Sequence, residues 1–264
     1  MKHIFYTHGL GGSLAAQPEI EEVFTPLGYT IIRVEMPFHS SLAELAIKMA
    51  TMTFGELCLL IDATANKIID TAKGFHPDEY AVIGDSLGGF ISATAAQRDR
   101  RISHCILLAC SGDLCNAILR LNHLIPGLGY FAGMLNLAGN GGLRIQAHKA
   151  ISGQSDFQQE FELINPFHPE RLARIKRLLI LGDKGDPVMP EKACRHFVKG
   201  VKNSKAIMVY NEGRHHPIGK DALRKYAVPF LQNKSLSATD SLRSLFASWW
   251  KLLRASLCVC WRNK

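Results

Sequence analysis

A serine enclosed by glycines is the first residue of this chain that could do chemistry. Residues 84–89 read Gly-Asp-Ser-Leu-Gly-Gly, and Ser86 stands between an apolar run at 79–83 and a predicted helix that begins at Leu87. On such a strand-to-helix turn the hydroxyl is exposed at the end of the strand, and neighbouring glycines let other main-chain groups approach it. Ser86 is therefore the candidate nucleophile.

A serine hydroxyl needs a base that removes its proton and an acid that orients the base. Asp183 and Asp186 both follow a predicted buried strand, so each is a candidate for the acid. His215 and His216 follow the next predicted strand, and because adjacent side chains point in different directions, only one of them is expected to act. Each residue alone is equally typical of a cap, a turn or a surface loop. Their joint occurrence at three strand ends favours a catalytic triad.

The oxyanion of a tetrahedral intermediate needs hydrogen-bond donors. Residues 8–13 read His-Gly-Leu-Gly-Gly-Ser and follow the first predicted strand, where glycines allow the main chain to come close to a substrate. We predict that the main-chain amides of Leu10 and Leu87 are the two donors. This chemistry needs no metal and no organic cofactor, so the sequence predicts neither.

Strand-like and helical runs alternate along the chain. Strands are predicted at 3–7, 30–34, 79–83, 104–109, 177–181 and 205–210. Helices are predicted at 17–25, 54–73, 87–97, 191–198 and 221–232. This alternation predicts an α/β fold with a mostly parallel sheet, covered by helices on both faces, whose functional residues lie at the carboxyl ends of the strands.

A long interval interrupts the alternation between the fourth and the fifth predicted strand. Long loops without secondary structure are uncommon in compact domains, so residues 112–169 are predicted to form a small helical cap that supplies the substrate pocket. The cap is read as an insertion in a single domain at 1–233. Residues 234–264 form a separate tail, predicted to hold a C-terminal amphipathic helix.

The chain resembles the α/β-hydrolase superfamily, which includes serine esterases, lipases and thioesterases. The matching pieces follow that family's order of serine, acid and histidine, and residues 35–41 resemble its loop after the second matching strand. The resemblance spans roughly residues 3–233. It implies the α/β-hydrolase fold and a serine hydrolase activity.

The same resemblance ranks the candidates for the acid and the base. The family's spacing from glycine to acid implies Asp186 once an additional residue is allowed, and Asp183 does not fit it. The family's ending of histidine, any residue and proline implies His215, with His216 in the variable position. Asp183 and His216 remain the alternates.

Composition and charge limit the kind of protein this is. The chain has 264 residues, of which 47% are hydrophobic and 20% are charged, as is usual for a globular domain. The net charge is +8, but residues 234–264 hold six basic residues against one acidic residue, a net charge of +5. The rest of the chain is only weakly basic, so no nucleic-acid partner is predicted. The start of the chain has no signal-like pattern, which predicts a cytoplasmic protein. The seven cysteines include no C-x-x-C pair, and Cys105 and Cys110, in or beside an apolar strand, are predicted to be reduced core residues.

The tail has the pattern of an amphipathic helix. Its apolar residues recur at helical spacing beside several basic residues, which is typical of a helix that lies on a membrane surface. Those apolar residues are Leu242, Leu245, Phe246, Trp249, Leu252 and Leu253. Packing on the body or on another subunit, and capture by a calmodulin-like partner, are the alternatives. Cys258 and Cys260 are candidates for lipidation.

The sequence therefore predicts a serine hydrolase that cleaves a carboxylic ester or thioester through an acyl-enzyme on Ser86. Its partner would be a small acyl substrate, and an acyl lipid or lysophospholipid if the tail binds membranes. The alternatives are a C–C bond hydrolase or an acyltransferase with the same triad, and a non-catalytic binding or scaffold protein that acts through its tail. The oligomeric state is left open.

Overall fold

The computed structural model describes residues 2–9, 17–37, 52–120, 141–209 and 218–234. In these ranges six strands form one sheet, in the order β2-β1-β3-β4-β5-β6, and every neighbouring pair is parallel. The strands are β1 (Lys2–Thr7), β2 (Tyr29–Arg33), β3 (Tyr80–Asp85), β4 (Ile102–Leu108), β5 (Leu178–Asp183) and β6 (Ser204–Val209). Each lies within two residues of its predicted position.

Helices cover both faces of this sheet. They are α1 (Glu19–Phe24), α2 (Phe54–Phe75), α3 (Leu87–Arg98), α4 (Leu114–Arg120), α5 (Gly141–Ile151), α6 (Gln158–Ile164), α7 (Pro169–Leu172), α8 (Glu191–Lys199), α9 (Lys220–Ala222) and α10 (Val228–Leu231). The long helix α2 begins with a capping box, in which Thr53 and Glu56 exchange side-chain-to-backbone hydrogen bonds. This pattern explains why the helix begins where the sequence predicts it.

The continuous helix predicted at 221–232 is in fact divided. A π-helical turn, Leu223–Ala227, separates α9 from α10. Pro229 has no N–H to donate to the carbonyl of Lys225, so a regular α-helical ladder cannot run through this segment. The prediction of one helix was therefore wrong in its regularity, although the segment is helical over its length.

The core has one layer on each face of the sheet. Phe5 belongs to a buried cluster that also contains residues of α2, α3 and α8, whereas its neighbours Ile4 and Tyr6 belong to a second cluster with residues of α1 and of 218–231. Because both faces are covered, the central strands β3 and β5 are buried at every residue rather than at alternate ones. Outside the strands, the carboxyl edge of the sheet is therefore where polar side chains can gather.

The strand order creates a crevice at that edge. The chain leaves β1 for β2 on one side, whereas β3 lies on the other side of β1. Connections from two neighbouring strands then diverge, and a gap forms between their carboxyl ends. Gly9 follows β1 and Ser86 follows β3, so the candidate nucleophile lies at this crevice.

The described part of the interval 112–169 is helical and packs beside the sheet domain. Phe161 of α6 lies against Phe54 at the start of α2, with ring centroids 5.9 Å apart. Arg98 at the end of α3 donates to Asp62 at 2.5 Å and to the carbonyl of Leu163 at 2.7 Å. These contacts fix α6 along the outside of α2 and α3. Residues 121–140 lie outside the described ranges, so a cap over the site remains a prediction.

The cysteines of the described ranges are buried and have free thiols: Cys58, Cys105, Cys110, Cys115 and Cys194. Burial raises their pKa, that of Cys115 to about 12, so these thiols stay protonated at neutral pH. Cys105 and Cys110 are thus the core residues that the sequence predicts. Within the same ranges no helix combines the length and the apolar character needed to cross a bilayer. The predicted tail at 235–264 lies outside the described residues.

Candidate active site

Ser86 has a backbone conformation that few residues other than glycine adopt. It lies between β3 and α3 with φ 47° and ψ −113°. Its N–H donates to the carbonyl of Leu108 on β4 at 2.9 Å, and its own carbonyl accepts from Gly89 at 2.9 Å. Its side chain makes no capping hydrogen bond to α3. The hydroxyl of Ser86 therefore does not cap the helix. Helix capping does not explain the strained backbone, which needs another explanation.

Two glycines permit this turn. A Cβ on Gly84 would overlap the carbonyl of Gly88, and a Cβ on Gly88 would overlap the carbonyls of Thr7 and His8. The ends of β1 and β3 and the first turn of α3 are thus in main-chain contact. A side chain at either glycine would separate these elements and change the direction of Ser86.

The loop after β1 passes beside the candidate nucleophile. A Cβ on Gly9 would lie 3.1 Å from the Cβ of Ser86 and 3.0 Å from Oδ2 of Asp85. The buried ring of His8 lies with Nδ1 2.9 Å from the carbonyl of Gly9, which orients the main chain at this point. Leu87, the other predicted oxyanion donor, is the first residue of α3 and brings a main-chain N–H to the helix N-terminus. Leu10 lies outside the described residues.

Tyr6 and Arg33 form a largely buried polar group on the α1 side of the same edge. The sequence predicted no role for either residue. The guanidinium of Arg33 lies 5.2 Å from the ring centre of Tyr6 and donates to the carbonyl of Gln17 at 3.2 Å. Burial, together with the nearby carboxylate of Asp85, raises the pKa of Tyr6 far above its ordinary value, so the phenol stays protonated. Of these residues, the sequence alone could point only to Asp85, because it is adjacent to Ser86.

Both candidate acids lie at the carboxyl end of β5 and both are buried. Asp183 is the last residue of the strand, and its Oδ1 accepts from the N–H of Gly185 at 3.0 Å. Oδ1 of Asp186 accepts from two main-chain amides, those of Val188 at 2.8 Å and Met189 at 2.9 Å. The two main-chain donors on one oxygen restrict the orientation of the Asp186 carboxylate. The choice between Asp183 and Asp186 as the orienting acid stays a prediction.

The sheet sets the distance that a base must bridge. Ser86 follows β3 and Asp186 follows β5, with β4 between them. Strands two places apart in a sheet are separated by about 10 Å, which one imidazole and its two hydrogen bonds can span. His215 and His216 belong to the segment between Val209 and Ile218, which lies outside the described residues.

Comparison with known proteins was made by sequence and by structure. No protein-family model and no curated protein matches this sequence. Est1E from Butyrivibrio proteoclasticus, in a structure with bound ferulic acid, is 16% identical with a TM-score of 0.60, and the match covers 89% of each chain. The alpha/beta hydrolase domain-containing protein 10 from mouse is 15% identical with a TM-score of 0.52, covering 92% of this chain and 90% of the other. A protein of unknown function from Staphylococcus aureus is 16% identical with a TM-score of 0.53, covering 88% and 89%.

The chain has the α/β-hydrolase fold. In this fold the nucleophile stands on the turn between a strand and a helix, and the acid and the histidine follow later in the chain. The conformation of Ser86 and the place of Asp186 agree with that description. At identities this low the likeness concerns the fold alone, and the fold does not fix the reaction or the substrate.

The close contact at Gly88 leads to a stability prediction. We expect Gly88→Ala to lower the free energy of unfolding by about 2–3 kcal/mol, because the added methyl group would overlap two main-chain oxygens. Gly74→Ala is the matched control, since Gly74 has open space around it in α2 and alanine favours a helix by up to about 1 kcal/mol. Urea unfolding of both variants measures the difference. Equal midpoints for Gly88→Ala and the wild type would show that the contact is not rigid.

Proposed function

We propose that this protein is a serine hydrolase that cleaves a carboxylic ester or thioester through an acyl-enzyme on Ser86. The observation that carries the proposal is the left-handed backbone of Ser86 on the turn between β3 and α3, with a hydroxyl that does not cap the helix. Strain of this kind is retained where the rest of the structure enforces it, and it gathers at functional sites. The names of similar structures, which include an alpha/beta hydrolase domain-containing protein and Est1E with bound ferulic acid, agree with this choice.

Each step of the proposed reaction has a residue. His215 takes the proton of the Ser86 hydroxyl as the oxygen attacks the acyl carbon, and Asp186 orients the imidazolium that forms. The main-chain amides of Leu10 and Leu87 donate to the oxyanion. The imidazolium then protonates the leaving group, and water releases the acid from Ser86 by the same route in reverse. Asp183 and His216 are the alternates for the acid and the base.

Replacement of the nucleophile tests the proposal directly. We expect Ser86→Ala to lose at least about 1,000-fold in kcat on p-nitrophenyl esters and to lose labelling by a fluorophosphonate. Ser92→Ala is the matched control, because Ser92 is fully buried in the same helix and its hydroxyl has no hydrogen-bond partner in the described structure. Its turnover is expected to equal that of the wild type. If Ser86→Ala keeps full turnover, or if folded wild-type protein takes no label, the hydrolase proposal fails and the scaffold alternative gains support.

Replacement of each candidate carboxylate by the corresponding amide distinguishes Asp186 from Asp183. We expect Asp186→Asn to lower kcat by about 1,000- to 10,000-fold, because an amide cannot stabilise the imidazolium. Asp183→Asn keeps the shape of the strand end and is expected to cost less than about 10-fold in kcat, a loss that contributes less than 1.4 kcal/mol to the barrier. His215→Ala and His216→Ala, measured in the same assay, assign the base. The reverse order for the carboxylates would assign the role to Asp183.

The tail widens the proposal to acyl lipids. Its apolar and basic residues suit a helix on a membrane surface, which would bring the enzyme to acyl lipids or lysophospholipids. A panel of esters of increasing chain length, with acyl-CoA and lysophospholipid beside it, identifies the preferred acyl group. A preference for the shortest esters would contradict a lipid substrate.

Membrane binding by the tail is tested with uncharged vesicles. We expect the full chain to sediment with phosphatidylcholine vesicles and a chain that ends at Asn233 to remain in the supernatant, because the apolar face of the tail is removed. Both proteins are expected to hydrolyse a soluble ester equally, which serves as the control for folding. Equal sedimentation of the two would remove the tail from the proposal.

A further inference from the structure

Positive charge is concentrated in the last part of the chain. Residues 1–183 hold 15 basic and 18 acidic residues, a net charge of −3, whereas residues 184–264 hold 16 basic and 5 acidic residues, a net charge of +11. The tail at 234–264 accounts for +5 of this, and residues 184–205 account for a further +4 with six basic and two acidic residues. A second basic region therefore exists within the folded body.

Helix α8 carries three of the six basic residues of 184–205 on one face, together with His196. Lys192, Arg195, His196 and Lys199 follow one another at intervals of three, one and three residues, and all four are exposed. Residues so spaced share one side of a helix. The opposite side carries Cys194 and Phe197, which are buried against the sheet. Lys202, also exposed, extends the row beyond the end of the helix. We call these five residues the α8 stripe.

The α8 stripe has little compensating charge. Of its two nearest acidic residues in sequence, Asp186 is buried, and Glu191 is paired with Arg195 at 2.6 Å. Lys192, Lys199 and Lys202 make no ion pair with any residue of the described ranges. Some exposed lysines elsewhere are paired, as Lys73 is with Asp70 and Lys176 is with Glu79, whereas Lys184 and Lys225 also make no ion pair within the described ranges. The stripe differs in that three such lysines follow one another along one exposed side of the molecule.

The position of the stripe relates it to the candidate site. Helix α8 begins directly after the loop that holds Asp186, and it packs beside β5 and β6. The stripe therefore runs from the carboxyl edge of the sheet, where the candidate residues lie, along the side of the molecule next to the β6 edge.

We propose that the α8 stripe is a docking surface for a bilayer that contains anionic lipids. Several lysines on one exposed helix face match the negative headgroup layer of such a membrane, and each contributes separately to binding. A single-stranded nucleic acid is the less suitable partner, because its binding surfaces interleave basic residues with exposed aromatic rings, whereas the stripe contains no Phe, Tyr or Trp and the neighbouring Phe167 is partly buried against His196. In the sequence, the tail at 234–264 adds five net positive charges and the apolar residues of its predicted helix. The stripe by itself would supply the electrostatic contribution.

The test compares two variants of the full chain with the same net charge. One carries Lys192→Gln, Lys199→Gln and Lys202→Gln, and the control carries Lys73→Gln, Lys149→Gln and Lys176→Gln at exposed lysines elsewhere. Binding is measured on phosphatidylcholine vesicles with and without phosphatidylserine. We expect the stripe variant to lose about 100-fold in affinity for the phosphatidylserine vesicles and the control to lose less than about 5-fold.

Three results would overturn the docking proposal. They are unchanged binding by the stripe variant, an equal loss in the control, and binding that is independent of phosphatidylserine. Binding of the stripe to an RNA oligomer without binding to the vesicles would likewise replace the membrane with another partner. Equal melting temperatures of the two variants show that folding is intact. Ser86→Ala is expected to bind vesicles like the wild type, so a failure of the hydrolase proposal leaves this one standing.

Discussion

The left-handed backbone of Ser86 depends on the close contact of three main-chain segments. The end of β1, the end of β3 and the first turn of α3 meet at Gly84 and Gly88, where a methyl group would overlap carbonyl oxygens. Because no side chain separates these segments, the chain can turn sharply from strand to helix at the serine. The unusual φ of Ser86 is energetically unfavourable. It persists because the sheet and the helix on either side hold the turn in place.

The same contact determines what surrounds the serine. Gly9 lies beside Ser86 because β1 and β3 are neighbours in register, with Thr7 opposite Gly84. The amide of Leu87 comes to the same place because α3 begins there. Main-chain groups rather than side chains thus shape the immediate surroundings of the hydroxyl. Such groups are fixed by the fold and need little reorganisation when charge develops.

The acidic side of the site is held in a different way. Asp186 follows β5, which is separated from β3 by β4. The amides of Val188 and Met189, in the same loop as Asp186, orient its carboxylate. A local turn therefore fixes the carboxylate, while the sheet fixes its distance from the serine. The α8 stripe begins at the end of this loop. One short segment therefore carries Asp186 and leads directly into the helix that bears the stripe.

The sequence by itself determined the alternation of strands and helices, the place of Ser86 between β3 and α3, and the start of α2 at Phe54. These features depend on residues close together in the chain, whose periodicity and caps can be read directly. The sequence also limited the candidates for the orienting acid to two residues and those for the base to two. Leu10, His215 and His216 lie outside the described residues, so their roles stay predictions. Only the tertiary structure decided that Gly9 lies beside Ser86, that two amides hold Asp186, and that Lys192 and Lys199 of α8 make no ion pair within the described ranges. The physical reason is that these relations join strands and loops distant in sequence, and strand order and packing, rather than local preference, bring them together.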